Sequence, residues 1–349
     1  MTTASSPEIS VVILNYNGAR WIERCLESIR KQTLFDRIEV IVADNRSSDG
    51  SDEVAARILE DWPNGRLLRN GENLGYCEGN NRGARVATGR FLFFLNNDTW
   101  LEPACLEELL KGTEAQNASA GTPLVLNFDS NHYQWVFAAG FDLFGFPSFR
   151  IPPFETSHLF MPPGCSYLIE SEFFHATGGF DSTIFMYADE LDLSWRLWLS
   201  GRKAVVVPGA RLHHRGAVHV NPRGEANVVE FRTSDAKRFY SNRNGLLVLL
   251  KNCQHVLLLM VPLQCLLLCL EAMIGLLLVR RWSFIRRAYI EAFVDCWRQR
   301  KHIRSERRRI RAIRRRSDWW MLRFLRLRLN RWDELGRLRR YGLPKVTKG

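Results

Sequence analysis

Four groups of side chains and one glycine-rich stretch in this sequence have types and spacing suited to chemistry. Asp44 opens the polar stretch DNRSSDGS directly after an apolar run. A buried, unpaired carboxylate there is costly unless it accepts hydrogen bonds, and a ligand can supply them. Capping the following helix is the competing role, which Asp49 or Ser51 would fill equally well. Asp98 closes RFLFFLNND, where a carboxylate beside amide side chains is a candidate ligand for a hard cation. Asp189, Glu190 and Asp192 crowd the start of a helix, where the macrodipole favours ionised carboxylates and where plain charge complementarity is the competing account. His213 and His214 follow a strand and precede a glycine, a setting that taken alone favours surface residues over ligands. Between Asp44 and Asp98 in sequence, NLGYCEGNNRG mixes glycines with Asn and Arg and reads as a loop able to close around a phosphate or sugar.

The elements that must position these groups alternate. Ile9 to Leu14 (ISVVIL), Ile38 to Ala43 (IEVIVA) and Arg90 to Leu95 (RFLFFL) are continuous apolar runs of strand length, as expected for strands buried on both faces. Ile22, Cys25, Leu26 and Ile29 recur with helical spacing, and Val54, Ile58 and Leu59 mark a second helix. This order predicts right-handed crossovers and a mostly parallel sheet flanked by helices. In such sheets ligands gather outside the carboxyl ends of the strands, where Asn15-Tyr16-Asn17, Asp44-Asn45 and Asn97-Asp98 all fall. Further on, MYADELDLSWRLWLSG reads as a helix and Ala204 to Val207 as a short strand leading to PGARLHHRG.

Charge divides the chain. From Arg280 onward there are 24 Lys plus Arg against 6 Asp plus Glu, a net of +18, so the first 279 residues carry −6. The tail is built to meet a polyanion. Val256 to Val279 is almost wholly apolar and long enough to span a bilayer, but Pro262, Glu271 and Arg280-Arg281 suit an interfacial helix at least as well. Beyond it, RRWSFIRR and WWMLRFLRLRLNRW resemble basic amphipathic helices lying on anionic headgroups. The expected division is a catalytic domain over 1–250 and a helical, basic, membrane-associating region over 251–349. Eight scattered cysteines without a CxxC pair are expected to be reduced and buried. MTTASSPEIS lacks the basic and apolar segments of a secretory signal, so a cytosolic catalytic domain is expected.

The ordered set SVVILNYN, VIVADNRSSDGS, NLGYCEGNNRG, FLFFLNNDT, GGFD, FMYADELDLSWRL and PGARLHHRG resembles the family 2 glycosyltransferases of the GT-A fold, closest to bacterial rhamnosyltransferase-like members, over about residues 8 to 250. The resemblance implies that Asn15, Tyr16 and Asp44 line the nucleoside slot, with Asn73, Asn81, Arg82 and Asn97 also on the donor side. It places Asp98 and His214 on a metal, Mg²⁺ or Mn²⁺, with the family's Asp-x-Asp appearing as Asn-Asn-Asp. Glu190 matches the usual base and Asp189 is its alternative, while Asp192 and Gly164 fall on the acceptor side. The family's glycine before GNN is Glu78 here. The implied reaction is single-displacement inversion, one sugar passing from a nucleotide-sugar donor to a lipid-linked or other saccharide acceptor at the cytoplasmic face of the cell membrane.

Other readings leave different marks. A processive synthase would carry QxxRW and several spanning helices, and a nucleotidyltransferase an N-terminal Gly-rich loop with basic residues. Neither pattern is present. A nucleic-acid binder would account for the charge of the tail, but not for its Trp and aliphatic content, so no nucleic-acid partner is expected. A catalytically inactive glycan-binding relative would account for the altered acidic motifs.

Overall fold

The computed structural model describes residues 6–134, 136–150, 155–216, 232–332, 336, 339 and 345–347. In chain order the first part holds β1 (Ile9–Asn15), α1 (Ile22–Arg30), β2 (Ile38–Asp44), α2 (Ser51–Leu59), β3 (Gly65–Arg69), α3 (Gly75–Val86), β4 (Phe91–Asn96) and β5 (Thr99–Leu101). Then come α4 (Cys105–Ala115), β6 (Ala120–Asn127), β7 (Phe137–Phe141), β8 (Pro147–Arg150), β9 (Ser157–His158), β10 (Ser166–Glu170), α5 (Ser171–Ala176), α6 (Asp189–Leu199) and β11 (Ala204–His214). The remainder is β12 (Arg232–Ser234), α7 (Asp235–Asn252), α8 (Met260–Val279), α9 (Trp282–Ile285), α10 (Glu291–Arg298), α11 (Arg300–Ile313), α12 (Asp318–Met321) and β13 (Lys345–Thr347).

The main sheet has nine strands in the order β3-β2-β1-β4-β10-β6-β11-β5, with β9 also on β11. It is mixed. β1 to β4, β6 and β11 run one way, while β5, β9 and β10 run against them. One face carries α1, α2 and α4, whose Cys25, Leu26, Ala55, Leu106 and Leu109 pack with Val11, Val40 and Phe93 in a single apolar core. On the other face Phe94 meets Phe174 of α5 and Phe180, and Tyr167 bonds Ser194 of α6.

The stretch NLGYCEGNNRG is not a loop. From Gly75 it is the helix α3. Glycine disfavours helices, but Gly79 and Gly83 lie one turn apart on the side facing the sheet. A Cβ at Gly79 would sit 2.4 Å from Leu14, and one at Gly83 2.5 Å from Val12. The missing side chains let α3 lie directly on β1 and β2, and that packing outweighs the propensity cost.

The chain forms two units: one of residues 1–138, 150–197 and 202–216, the other of 139–149, 198–201 and 217–349. This differs from the division expected at 250/251, because α7 packs with the C-terminal helices. Its Leu246 and Leu247 share a core with Leu268, Phe284, Ala288, Tyr289 and Ile303. Not every arginine of the tail is a surface charge. Arg307 donates to the carbonyls of Leu250 and Cys253, Arg314 donates to that of Asn252 and pairs with Asp318, so together they close the C-terminus of α7. Val256 to Val279, with mean hydropathy reaching 2.3, is long and apolar enough to cross a membrane, and 22% of its most apolar 18-residue stretch is buried. Six cysteines are buried as expected, Cys265 is partly so, and Cys269 is exposed.

The fit of α3 on the sheet is open to a direct test. Gly83→Val is expected to cost about 1–3 kcal/mol through overpacking against Val12. Gly71→Ala, with nothing within 4 Å of the added carbon, should change stability by less than about 0.5 kcal/mol. Urea unfolding of the two variants beside wild type checks the difference.

Candidate active site

The polar ends of β1, β2 and β4 are bound together by Asn15. Its amide nitrogen donates to Asp44 Oδ1 (2.8 Å), Ser51 Oγ (2.8 Å) and Ser47 Oγ (3.2 Å), and its Oδ1 accepts from Asn97 (2.7 Å). Gly18 makes room for this, since a Cβ there would lie 2.1 Å from Asn97 Nδ2. Asp44 accepts in addition from the Ser47 backbone (2.9 Å) and hydroxyl (2.6 Å). The buried carboxylate is therefore satisfied from within the chain, and the need for an outside partner argued from sequence does not arise. Nor does Asp44 cap α2. Asp49 accepts from Ser51 and from the Ala19 amide instead. Burial raises the Asp49 pKa, but these bonds outweigh it and hold the carboxyl below its ordinary range. Asn15 and Asn97 are thus organisers, whereas Tyr16 at the end of β1 is 40% exposed.

Two other residues expected on the donor side are engaged within the chain. Asn81 spends its amide on the backbone of Phe180, accepting from its N–H and donating to its carbonyl, both at 2.9 Å, with a longer bond from the same nitrogen to Glu78 at 3.4 Å. It clamps the GGFD turn, where Gly179 (φ +71°) could not carry a Cβ beside the Asn81 amide. Asn73 Oδ1 accepts from the Gly75 N–H at the start of α3 and from Asn45. Arg82 is exposed and lies 4.0 Å from Glu78, which Arg85 also engages at 2.8 Å.

β5, which starts at Thr99 directly after Asp98, pairs with β11 so that His214 lies opposite Thr99, and this brings Asp98 Oδ1 within 3.4 Å of His214 Nε2. His214 Nδ1 faces Gln134 Oε1 at 3.0 Å, an outer partner that fixes the ring, as metal-binding histidines usually have. Burial disfavours the charged form of His214, but the Cys165 sulfur and Asp98 reverse this and hold its pKa well above the ordinary value. Burial likewise raises Asp98, and the His214 charge and bond outweigh it and keep it low. The pair fits a divalent cation: one carboxylate, one oriented imidazole, adjacent and largely buried. Among the described residues no cluster of three or more metal-ligating side chains occurs, so diphosphate and water would have to complete the shell. The histidine pair is not a surface feature. Strand alternation turns His213 the other way, stacked on Trp100 at 3.7 Å and held by the Asn127 carbonyl.

Asp189 and Glu190 begin α6 after two residues in the left-handed region, Tyr187 (φ 67°) and Ala188 (φ 62°). Each costs about 1–3 kcal/mol in a non-glycine residue, and such strain gathers at functional sites. Burial and the charge of Glu190 push the Asp189 pKa well up, and burial raises Glu190 too. Two carboxyls this close do not ionise together. The retained proton belongs on Asp189, which is 5% exposed and donates to its more accessible neighbour. Gly164 lies against both, a Cβ there being 3.7 Å from Asp189 and 3.8 Å from Glu190. The Tyr76 hydroxyl donates to the Gly164 carbonyl at 2.5 Å, a contact only the fold reveals. Asp192 is engaged within its own helix. Its carboxylate is buried 3.1 Å from Arg196, which also donates to the Thr177 carbonyl, and this pair helps to position α6.

Gly164 and Cys165 join the two halves of the site. Gly164 touches the carboxyl pair, Cys165 touches His214, and the Cys165 carbonyl accepts from Asn96 beside Asp98. The sequence signal for this was faint: a GC dipeptide before an apolar strand.

Residues 10–177 match the family model for glycosyl transferase family 2. The chain carries a family 2 glycosyltransferase domain. Among curated relatives, the N-acetylglucosaminyl-diphospho-decaprenol L-rhamnosyltransferase of Mycobacterium tuberculosis is 28% identical over 267 residues, covering 68% of this chain and 85% of that protein. Three others are 34–39% identical over 106–110 residues, and the chain spans only 30–34% of their length. Among solved structures, GalNAc-T7 with UDP, GalNAc and Mn²⁺ aligns with a TM-score of 0.59 at 19% identity, over 72% of this chain and 49% of that one. Staphylococcus aureus TarS 1–349 in complex with UDP aligns at 0.55 and 14%, over 88% and 90%. The glycosyltransferase domain is GT-A-like, a mixed sheet flanked by helices, followed by a helical region with one apolar helix.

The buried carboxyl of Asp189 makes a stability prediction for the glycosyltransferase domain. An acid whose folded pKa is raised binds more protons in the folded state between its unfolded and folded values, so stability falls as pH rises across that window. Asp189→Asn removes the penalty. The variant should melt at a higher temperature than wild type at neutral pH, and the gain should vanish as pH falls to about 4, the unfolded aspartate value. Thermal unfolding across that range measures it.

Proposed function

We propose that this chain is an inverting, metal-dependent glycosyltransferase that moves one sugar from a nucleotide-sugar donor, dTDP-rhamnose or a UDP-sugar, to a lipid-linked saccharide in cell-envelope polysaccharide assembly. The observation that carries this reading is the Gly164-Cys165 turn. It sets a proton-sharing carboxyl pair and an Asp–His cation pair side by side at one sheet edge. Transfer from a nucleotide sugar needs those two functions together: a base for the acceptor hydroxyl and positive charge for the departing diphosphate.

Glu190 is the base. Asp189 keeps its proton and hydrogen-bonds Glu190, and Tyr76 holds Gly164 against the pair. Asp98 and His214 hold the cation, which when bound neutralises the leaving diphosphate. Tyr16 offers an exposed ring to the nucleoside, next to the Asp44 loop that Asn15 fixes, and Arg82 is available on α3 to a phosphate or sugar.

Three relatives support the ligand classes. One neighbour is named with UDP and Mn²⁺, another with UDP, and one relative is named for L-rhamnosyl transfer to a decaprenol-linked saccharide. The apolar helix and basic tail suit an enzyme held at the cytoplasmic face of the cell membrane, where such an acceptor is found.

Nucleoside diphosphate release from UDP-, dTDP- and GDP-sugars, in native membranes with Mg²⁺, Mn²⁺ or EDTA, tests the reading. Release from one donor should require metal. Glu190→Gln should lower kcat by about 10²–10⁴-fold while donor binding persists, and Asp98→Ala should abolish the response to metal. Donor binding without any turnover would point to the inactive glycan-binding relative, and absence of donor binding would overturn the proposal.

A further inference from the structure

The second unit exposes an apolar surface with a definite shape. α8 has two unlike faces. Its Met260, Gln264 and Leu268 are buried, and Cys265, Ala272 and Val279 pack on the core built around Leu246 and Phe284. Midway along the helix Glu271 pairs with Arg331 at 2.6 Å, and the Arg331 guanidinium lies 4.3 Å from the Phe146 ring. The opposite face presents Leu263, Leu266, Leu270, Met273, Ile274 and Leu277, between 42% and 73% exposed, at spacings of three, four, three, one and three, and in the last turn Leu276 and Leu278 are exposed as well. That is one stripe of a helix.

The next helical stretch repeats the pattern. Ile290, Val294 and Trp297 are 40–70% exposed, four and three residues apart. Arginines flank both stripes: Arg280, Arg281, Arg286, Arg287 and Arg298 are exposed, with Trp282 among them at 58% exposure. Apolar stripes of this size without cover mark an interaction surface. Trp and Arg at their margins match the chemistry of the headgroup layer, where indole rings settle and guanidinium meets phosphate.

We propose that α8 docks along the plane of one leaflet of an anionic phospholipid bilayer, its outer stripe among the acyl chains and Trp282 and the neighbouring arginines among the headgroups. The ion-paired Glu271 and the core packing of the inner face oppose a span. Crossing would leave the helix surrounded by lipid and would carry that pair, or strip it, into hydrocarbon. Docking in the plane leaves the inner face packed as it is and buries only the outer one. This deepens the membrane part of the reading above. Its test does not read sugar transfer, so either can fail without the other.

Full-length protein with Cys269→Ser and one of Leu263→Cys, Leu270→Cys or Leu277→Cys, labelled with an environment-sensitive fluorophore, is mixed with vesicles containing phosphatidylglycerol and lipids quenching at a shallow or a deep position. All three labels should shift to the blue and be quenched alike, more strongly by the shallow quencher. Arg280→Glu combined with Arg281→Glu should weaken vesicle binding at least about tenfold, and neutral phosphatidylcholine vesicles should bind as weakly. A deep label at 270 with shallow labels at 263 and 277 would show a span and overturn the proposal. So would labels unchanged by vesicles, or labels already shielded in lipid-free solution in a concentration-dependent way, which would assign the stripe to a second copy of the chain.

Discussion

Everything at the site depends on β10 running against its neighbours. Inserted between β4 and β6, it begins where β4 ends, so the residues just before it arrive at the carboxyl edge of the parallel strands. The bond from Asn96 N–H to the Cys165 carbonyl locks that arrival. A parallel strand at the same place would bring its carboxyl end to this edge and leave Gly164 and Cys165 at the opposite one. The acid pair and the cation pair would then have nothing in common.

Electrostatics sets the second constraint. Asp44, Asp98, Asp189 and Asp192 are all buried, yet each is handled differently. Asp44 accepts local hydrogen bonds, Asp98 pairs with the His214 ring, Asp192 pairs with a guanidinium, and burial beside Glu190 pushes Asp189 toward its protonated form. Only the last two solutions differ in what they leave for chemistry. The ion-paired Asp192 is spent on structure, while Asp189, its pKa pushed up by burial and the charge of Glu190, lies beside a carboxyl that is more accessible than itself. Strain at Tyr187 and Ala188 and the penalty on Asp189 are local costs, and the aromatic cluster of Phe94, Phe174 and Phe180 together with the sheet core offsets them.

In the basic tail, like residues serve unlike ends. Arg307 and Arg314 bond helix-terminal carbonyls and belong to the fold, whereas Arg280 and Arg286 stand at the surface beside exposed indole and aliphatic side chains. Net charge counted along the chain merges the two, although only the surface set is available to a polyanion.

The strands, their polar ends and the first two helices were legible in the sequence because they follow local rules: apolar runs bounded by polar residues, and helical periodicity. The motif set was legible for the same reason, since each motif sits at one strand end or helix start. What was not legible involves partners far apart. The glycines of α3 announce a loop until the sheet is there to receive them. Asn81 looks like a ligand-facing polar residue until Phe180 is brought to it, and Asp192, one helical turn from Arg196, looks like one until the packing of α6 buries both. The two adjacent histidines are equivalent in sequence, and only the strand turns one to Trp100 and the other to Asp98. The sequence by itself determined which residues end strands and which pairs of acids lie together, because those are properties of neighbours. Tertiary structure alone decided which polar group spends its hydrogen bonds on the chain and which keeps them, because desolvation and charge pairing depend on segments that only the fold packs together.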